Sequence, residues 1–242
     1  MKDKITVSIA SIPEREAQLS ETISSLIGQV DQINVSLNGY KKIPSIFKFN
    51  VNKINYDFTD NKLADAYKFL WADKIKGYHF TCDDDLIYPP DYVKFLIHKI
   101  EKYQKRAVVG LHGSILKPKV NHYYMDRARV FHCLNSLADD AGVHILGTGC
   151  MAYHSNTINL SIGDFPKPFM ADVWAGIAAQ KQRVPMVCVN HEAGYLKYQD
   201  EVESQKSSTI FNNYFNNISD ATQAVRQLKW KIYHVAQNKK TI

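Results

Sequence analysis

An α/β fold, a mostly parallel sheet flanked by helices, is the architecture this sequence predicts. Two observations predict it. Short β-branched apolar runs alternate with segments of helical period, and several polar clusters fall just beyond the ends of those runs. Ile5 to Ala10 reads as a buried first strand, closed by the turn Ser11-Ile12-Pro13-Glu14-Arg15. Leu19, Ile23, Leu26 and Ile27 then recur at helical spacing between Ala17 and Gln29. Ile33 to Leu37 is a second strand, ended by Asn38-Gly39, and Val51 to Phe58 a third, ended by Thr59-Asp60-Asn61-Lys62. A helix from about Leu63 to Lys74 leads into the strand Tyr78 to Thr81. Strand, helix, strand in this rhythm gives parallel pairing through right-handed crossovers.

The second half continues with a helix from Asp91 to Gln104 and a buried strand from Ala107 to Gly113. Lys117 to Asp140 is polar and aromatic with little periodicity, as in a long excursion or flap. Val143 to Leu146 leads into Gly147-Thr148-Gly149, where glycine permits close backbone approach. A helix opens near Phe169 and runs to about Gln182 with Asp172 in its first turn, and Val184 to Val189 is a last strand before Asn190-His191-Glu192. From Ile218 onward Val225, Leu228, Ile232 and Val235 keep helical spacing, and no acid follows Asp220. The expected organisation is one domain over residues 1–217, with halves at 1–113 and 114–217, and a basic amphipathic helix over 218–242.

Composition narrows the function classes. No apolar run approaches the ~20 residues needed to cross a bilayer, and the first residues lack a signal-peptide pattern, so a cytoplasmic protein is expected. Cys82, Cys133, Cys150 and Cys188 lie far apart with no Cys-x-x-Cys pair, which indicates free thiols rather than a zinc site or disulfide framework. The net charge of +6 suits an anionic partner: a nucleotide, a nucleic acid or an anionic membrane face. With no helix-turn-helix, zinc-finger or RNA-sheet signature, nucleic acid is the weakest of the three. The tail stripe, with Trp230 and Tyr233 suited to the headgroup level, fits peripheral binding to the inner membrane face. It equally fits packing on the domain.

The most telling stretch is Cys82-Asp83-Asp84-Asp85-Leu86-Ile87-Tyr88-Pro89-Pro90. Three adjacent carboxylates at the end of a buried strand repel one another, and repulsion plus desolvation raises their pKa values unless a cation joins them. Strand alternation would put Asp83 and Asp85 on one face and Asp84 on the other. Hard oxygen ligands of this kind suit Mg2+ or Mn2+. The same triplet would also serve as an acidic turn ahead of the helix near Asp91. In open sheets ligands bind beyond the carboxyl ends of the strands, so Ser11 to Arg15, Asp60 to Lys62 and Asp83 to Asp85 are expected to meet on one rim.

Taken in order, Ala10-Ser11-Ile12-Pro13-Glu14-Arg15, Leu37-Asn38-Gly39-Tyr40, Asp60-Asn61-Lys62, Cys82 to Pro89, Gly147-Thr148-Gly149 and Ala171-Asp172-Val173-Trp174 resemble the GT-A class of nucleotide-sugar glycosyltransferases. The likeness is to the family-2-like bacterial enzymes that build capsule and lipopolysaccharide. It implies a Rossmann-like GT-A sheet with a nucleotide-binding half (1–113) and an acceptor-side half (114–217). It also implies transfer of a hexose-type sugar from a UDP-sugar to a saccharide acceptor. By the same resemblance Ser11, Pro13, Arg15, Asn38, Asp60, Asn61, Lys62, Asp83 and Asp84 hold the nucleotide-sugar, while Asp85, with Asp83 and His191, binds Mn2+ or Mg2+. Gly147, Thr148 and Gly149 face the acceptor, and Asp172 is the catalytic base. Asp172 also fits a helix-dipole role, and His191 a structural one.

The chemistry is consistent with that set. Negative charge builds on the departing phosphate, a metal stabilises it, and a carboxylate takes the proton of the acceptor hydroxyl. No separate nucleophile is evident, so inversion is expected. The competing readings are a sugar nucleotidyltransferase, against which the first turn lacks a glycine-rich loop, and a non-enzymatic basic module binding membrane or nucleic acid.

Overall fold

The inner strand of the sheet is Ile5–Ser11 (β1), and its sequence explains why it lies inside: Val7 and Ile9 are fully buried on one face, Thr6 and Ser8 buried on the other. The structure is a computed structural model describing residues 3–49, 52–199 and 210–235. Gln32–Asn38 (β2) and Tyr78–Cys82 (β4) flank β1 in parallel, and Ile54–Thr59 (β3) runs parallel beyond β2. Val51, placed in the third strand by the sequence, lies outside the described residues. The remaining strands are Leu86–Ile87 (β5), Val108–Gly110 (β6), Gly113–Leu116 (β7), Arg127–Phe131 (β8), Ala141–Val143 (β9), Ile145–Leu146 (β10), Cys150–His154 (β11), Met186–Cys188 (β12) and Lys197–Tyr198 (β13).

The large sheet has eight strands in the order β3-β2-β1-β4-β11-β6-β12-β9. It is mixed: six strands run one way, as expected of a mostly parallel sheet, and two run the other. β11 runs antiparallel between β4 and β6, and β9 antiparallel beside β12. Gly147 to Gly149 forms the turn between β10 and β11. Cys150 pairs with Cys82, and the glycine turn arrives at the rim where β4 ends.

Helices Glu16–Leu26 (α1) and Tyr92–Lys102 (α2) cover one face, burying Leu19, Ile23, Leu26, Val93, Leu96 and Ile100 against Val7, Ile9 and Phe80. Ala171–Gln182 (α3) covers the other face through Ala171, Ala175, Ala178 and Ala179, beside Phe69, Phe165 and Met151. On that face Ser8, His79 and Tyr153 form a buried hydrogen-bonded row, at 2.9 and 2.6 Å. Burial drives the His79 pKa down to about 3, so the ring stays neutral.

Three expected elements are corrected. The helix from Leu63 to Lys74 is instead a 3-10 segment, Ala64–Phe69, followed by turns. Its threefold period puts Asp65 and Lys68 on one side and Ala66 and Phe69 on another, which turns the charged pair toward the cavity at the strand ends and the apolar pair into the core. The single strand at 107–113 divides at Leu111-His112 into β6 and β7, which belong to different sheets. The excursion over 117–140 contains β8, paired antiparallel with β7 in a three-stranded sheet with β10.

The C-terminal stripe departs from expectation as well. Ile210–Arg226 (α4) ends before Leu228, Ile232 and Val235, which therefore share no helix with Val225. Val225, 1% exposed, packs with Met170, Val173 and Ile177. Trp230 Nε1 donates to the Val225 carbonyl at 2.8 Å, and Gln180 and Lys231 exchange two hydrogen bonds at 2.8 and 3.0 Å. Val225 is thus covered by the domain, and Leu228, Ile232 and Val235 are half-buried; residues 236–242 of the expected helix lie outside the described residues. Among the described residues no helix is long and apolar enough to cross a membrane.

Truncation after Ala221 removes Val225, Leu228 and Trp230 from this core. It is expected to cost at least about 3 kcal/mol, a fall in melting temperature of roughly 2–4 °C per kcal/mol. Thermal unfolding of the full and truncated chains checks this; equal midpoints would contradict the packing role.

Candidate functional site

β4 ends at Cys82, and the next three residues leave the sheet in a turn. The alternation expected for an extended chain therefore stops. Asp83, Asp84 and Asp85 all line one cavity of about 200 Å³ at the carboxyl ends of β1, β2 and β4. Arg15 Nη1 reaches across from the turn after β1 to Asp84 Oδ1 at 2.8 Å and Asp85 Oδ2 at 3.0 Å. Lys68 Nζ, almost fully buried, pairs with Asp83 Oδ1. Asp84 is thus not turned away from its neighbours.

The backbone of this turn is held by Tyr88. The Asp83 N–H donates to Tyr88 Oη at 2.9 Å, and the Tyr88 hydroxyl donates to the Gly149 carbonyl at 2.6 Å. The phenol is 1% exposed and bridges the acidic turn to the glycine turn before β11. Gly149 is required here for space, since a Cβ would stand 2.0 Å from Asp83 Oδ2. Across the cavity the turn after β1 is stapled by Tyr40, whose hydroxyl donates to the Ile12 carbonyl at 2.8 Å.

The opposite wall comes from β2 and the 3-10 segment. Asn38 Nδ2 donates to the Ala64 carbonyl at 3.0 Å, and Asn61, left-handed at φ 59°, also lines the space. Asp65 accepts the backbone N–H groups of Phe169 at 2.7 Å and Ala171 at 3.1 Å, so it caps α3 from a distant part of the chain. The next residue of α3, Asp172, accepts on one oxygen, Oδ1, both the Thr148 N–H and the Thr148 hydroxyl, each at 2.7 Å.

The cavity has more negative than positive groups. Asp65, Asp83, Asp84 and Asp85 face Arg15 and Lys68. Burial first, then Asp83 and Asp84, raise the Asp85 pKa to about 7 against the pull of Arg15. Burial likewise raises Asp84, opposed by Arg15 and the Ser11 hydroxyl. Burial raises Asp65 to about 6, against Lys68 and the two backbone donors. Burial opposes the charge on Lys68, but Asp83 and Asp65 outweigh it and hold its pKa above the ordinary lysine value.

A divalent cation fits this imbalance. Asp83 Oδ2 and Asp85 Oδ1 lie outside the ion pairs with Lys68 and Arg15, so an all-oxygen pair of ligands is available.

The cavity thus gathers Ser11, Arg15, Asn38, Asn61, Asp83, Asp84 and Asp85 among the residues singled out by sequence. It does not gather Asp60, Lys62, Pro13, His191 or Asp172. Asp60 pairs with exposed Lys62 and takes a hydrogen bond from Tyr67 at 2.6 Å, while Pro13 is exposed. His191 is buried with Nδ1 2.7 Å from the Val189 carbonyl and Nε2 without a partner among the described residues. Asp172 stands behind the wall, close enough for its charge to reach Asp65 and Lys68. Gly147 and Thr148 lie on the same side, Gly147 donating to the His112 carbonyl at 2.9 Å.

Sequence reasoning missed Asp65, Lys68 and Tyr88. The first two belong to no motif in the sequence, and Tyr88 looked like part of the stop after the acids. It also missed that His112, assigned no role, comes together with His132 and Cys133. No protein-family model matches this chain, and no curated protein matches its sequence.

Because its folded pKa lies above the unfolded value, Asp85 favours the fold when protonated, and that contribution is lost as pH rises from about 4 to about 7. Without divalent metal, Asp85→Asn is therefore expected to raise the melting temperature at pH 8 and change it little at pH 5. A drop at pH 8 would refute the charge imbalance.

Proposed function

We propose that this protein is a metal-dependent inverting glycosyltransferase of the GT-A type. The donor is a nucleotide-sugar, a UDP-sugar carrying a hexose-type unit, and the acceptor a saccharide of the kind extended in cell-surface polysaccharide synthesis. The observation that carries the reading is the meeting of the turn after β1, the end of β2, the 3-10 segment and the three acids around one cavity at the strand ends. That is where an open α/β sheet binds nucleotides.

In this reading Ser11, Asn38 and Asn61 offer hydrogen-bonding groups for the nucleoside, and Arg15 and Lys68 positive charge for its diphosphate. Asp83 and Asp85 would hold Mn2+ or Mg2+, which acts as a Lewis acid on the departing phosphate. Asp172 takes the proton of the attacking hydroxyl. The two Thr148 donors on Oδ1 fix the carboxylate and leave Oδ2 for that proton. Gly147 to Gly149 joins the acceptor side to the acid turn through Tyr88. With the base apart from the metal acids, single displacement and inversion follow.

The test is calorimetric binding of UDP with and without Mn2+, followed by hydrolysis of a panel of UDP-sugars. Manganese-dependent UDP binding is expected in the parent. Asp172→Asn is expected to retain that binding while turnover falls by roughly two to four orders of magnitude. Absence of UDP binding in the presence of manganese would overturn the reading, and turnover of Asp172→Asn within several-fold of the parent would remove Asp172 from the base role.

A further inference from the structure

We propose a second metal site of different chemistry, a centre for a zinc-type ion with two imidazole ligands and one thiolate, made by His112, His132 and Cys133. One donor atom from each of the three residues lies within 4.8 Å of the others. Ligands around a tetrahedral zinc stand about 3.5 Å apart, given bonds of about 2.0–2.3 Å. Closing on an ion therefore needs side-chain movement of about an ångström, not a rearrangement of the fold.

The backbone brings the three donors together from separate segments. His112 sits on the link between β6 and β7, and its carbonyl accepts the Gly147 N–H at 2.9 Å. His132 and Cys133 directly follow β8. The imidazoles meet edge to face, with centroids 5.2 Å apart and planes at 78°. Both rings are half-buried, which leaves a route for an ion, whereas Cys133 is 6% exposed. The local costs are a long hydrogen bond of 3.3 Å from the Leu134 N–H to His132 Nδ1, which the ring gives up on binding through either nitrogen, and the hydrogen bonds of the Cys133 thiol to Cys150 and His112.

The donor set decides the ion. Two imidazoles and a thiolate select zinc-type metals, while magnesium and manganese prefer oxygen. The group contains no carboxylate, so it does not compete with the acid cavity for the same cation. The sequence hides the site because the three residues show no short-spaced cysteine pair; the β7–β8 hairpin separates them and then returns them to one place. An ion here pins both ends of that hairpin to β6. On binding, the Cys133 thiol loses its proton to solvent and the fourth coordination position is left to water.

The test uses full-length, metal-stripped protein in a non-chelating, thiol-free reductant with excess Mg2+ present. Titration with Co2+ is expected to give a thiolate-to-cobalt charge-transfer band saturating at one equivalent, bleached by Zn2+. Cys133→Ser is expected to abolish the band, His112→Ala to weaken Co2+ affinity at least tenfold, and Asp85→Asn to leave it unchanged. A readout on the parent alone covers the case in which a variant fails to fold: Zn2+ is expected to protect Cys133 from alkylation, mapped by mass spectrometry. No band in the parent, an equal band in folded Cys133→Ser, or equal alkylation of Cys133 with and without zinc would each overturn the site.

Discussion

Three carboxylates at the end of a buried strand cannot all be charged unless positive charge is brought to them, and much of this chain is arranged around that constraint. Arg15 comes from the turn after β1 and Lys68 from the 3-10 segment. Arg15 holds Asp84 and Asp85 through one guanidinium nitrogen, Lys68 holds Asp83 through its amine, and neither saturates the acids. Buried ion pairs of this sort add little to stability by themselves, because desolvation offsets most of the attraction. Their value is in fixing where the carboxylates point, and what remains is a standing deficit of positive charge in a small cavity. A ligand that brings a cation therefore also relieves strain in the fold.

Electrostatics alone would push the acids apart and out to water. Tyr88 prevents this by holding the Asp83 N–H and the Gly149 carbonyl on one buried hydroxyl, and Gly149 leaves the volume that the Asp83 carboxylate occupies. The antiparallel entry of β11 is what delivers Gly149 to that position. Sheet topology, a missing Cβ and one phenol thus act together on the geometry of three charges.

The parts legible in the sequence were those governed by local pattern. β1, β2, β4, α1, α2 and α3 follow from apolar period and flanking turn residues. The acid triplet, the Ser11 to Arg15 turn and the place of Asp172 at a helix start were legible for the same reason. What escaped depends on contacts between distant segments. The alternation of Asp83, Asp84 and Asp85 failed because β4 stops at Cys82, a boundary set by its pairing with β1 and β11. The tail stripe fits either a membrane face or the domain until α3 is seen to supply a partner for Val225. Asp65 and Lys68 are marked only by contacts with Phe169, Ala171 and Asp83, which no local pattern reveals.

The cap that Asp65 places on α3 has a bearing on how the molecule is assembled. Ala171 is 106 positions beyond Asp65, so the first turn of α3 lacks side-chain acceptance of its N–H groups until the first part of the chain is already in place. A cap of this kind is worth about 1 kcal/mol, enough to bias a short helix that is marginal alone. The halves on either side of residue 113 are therefore not interchangeable modules. The second half completes its helix on a carboxylate owned by the first.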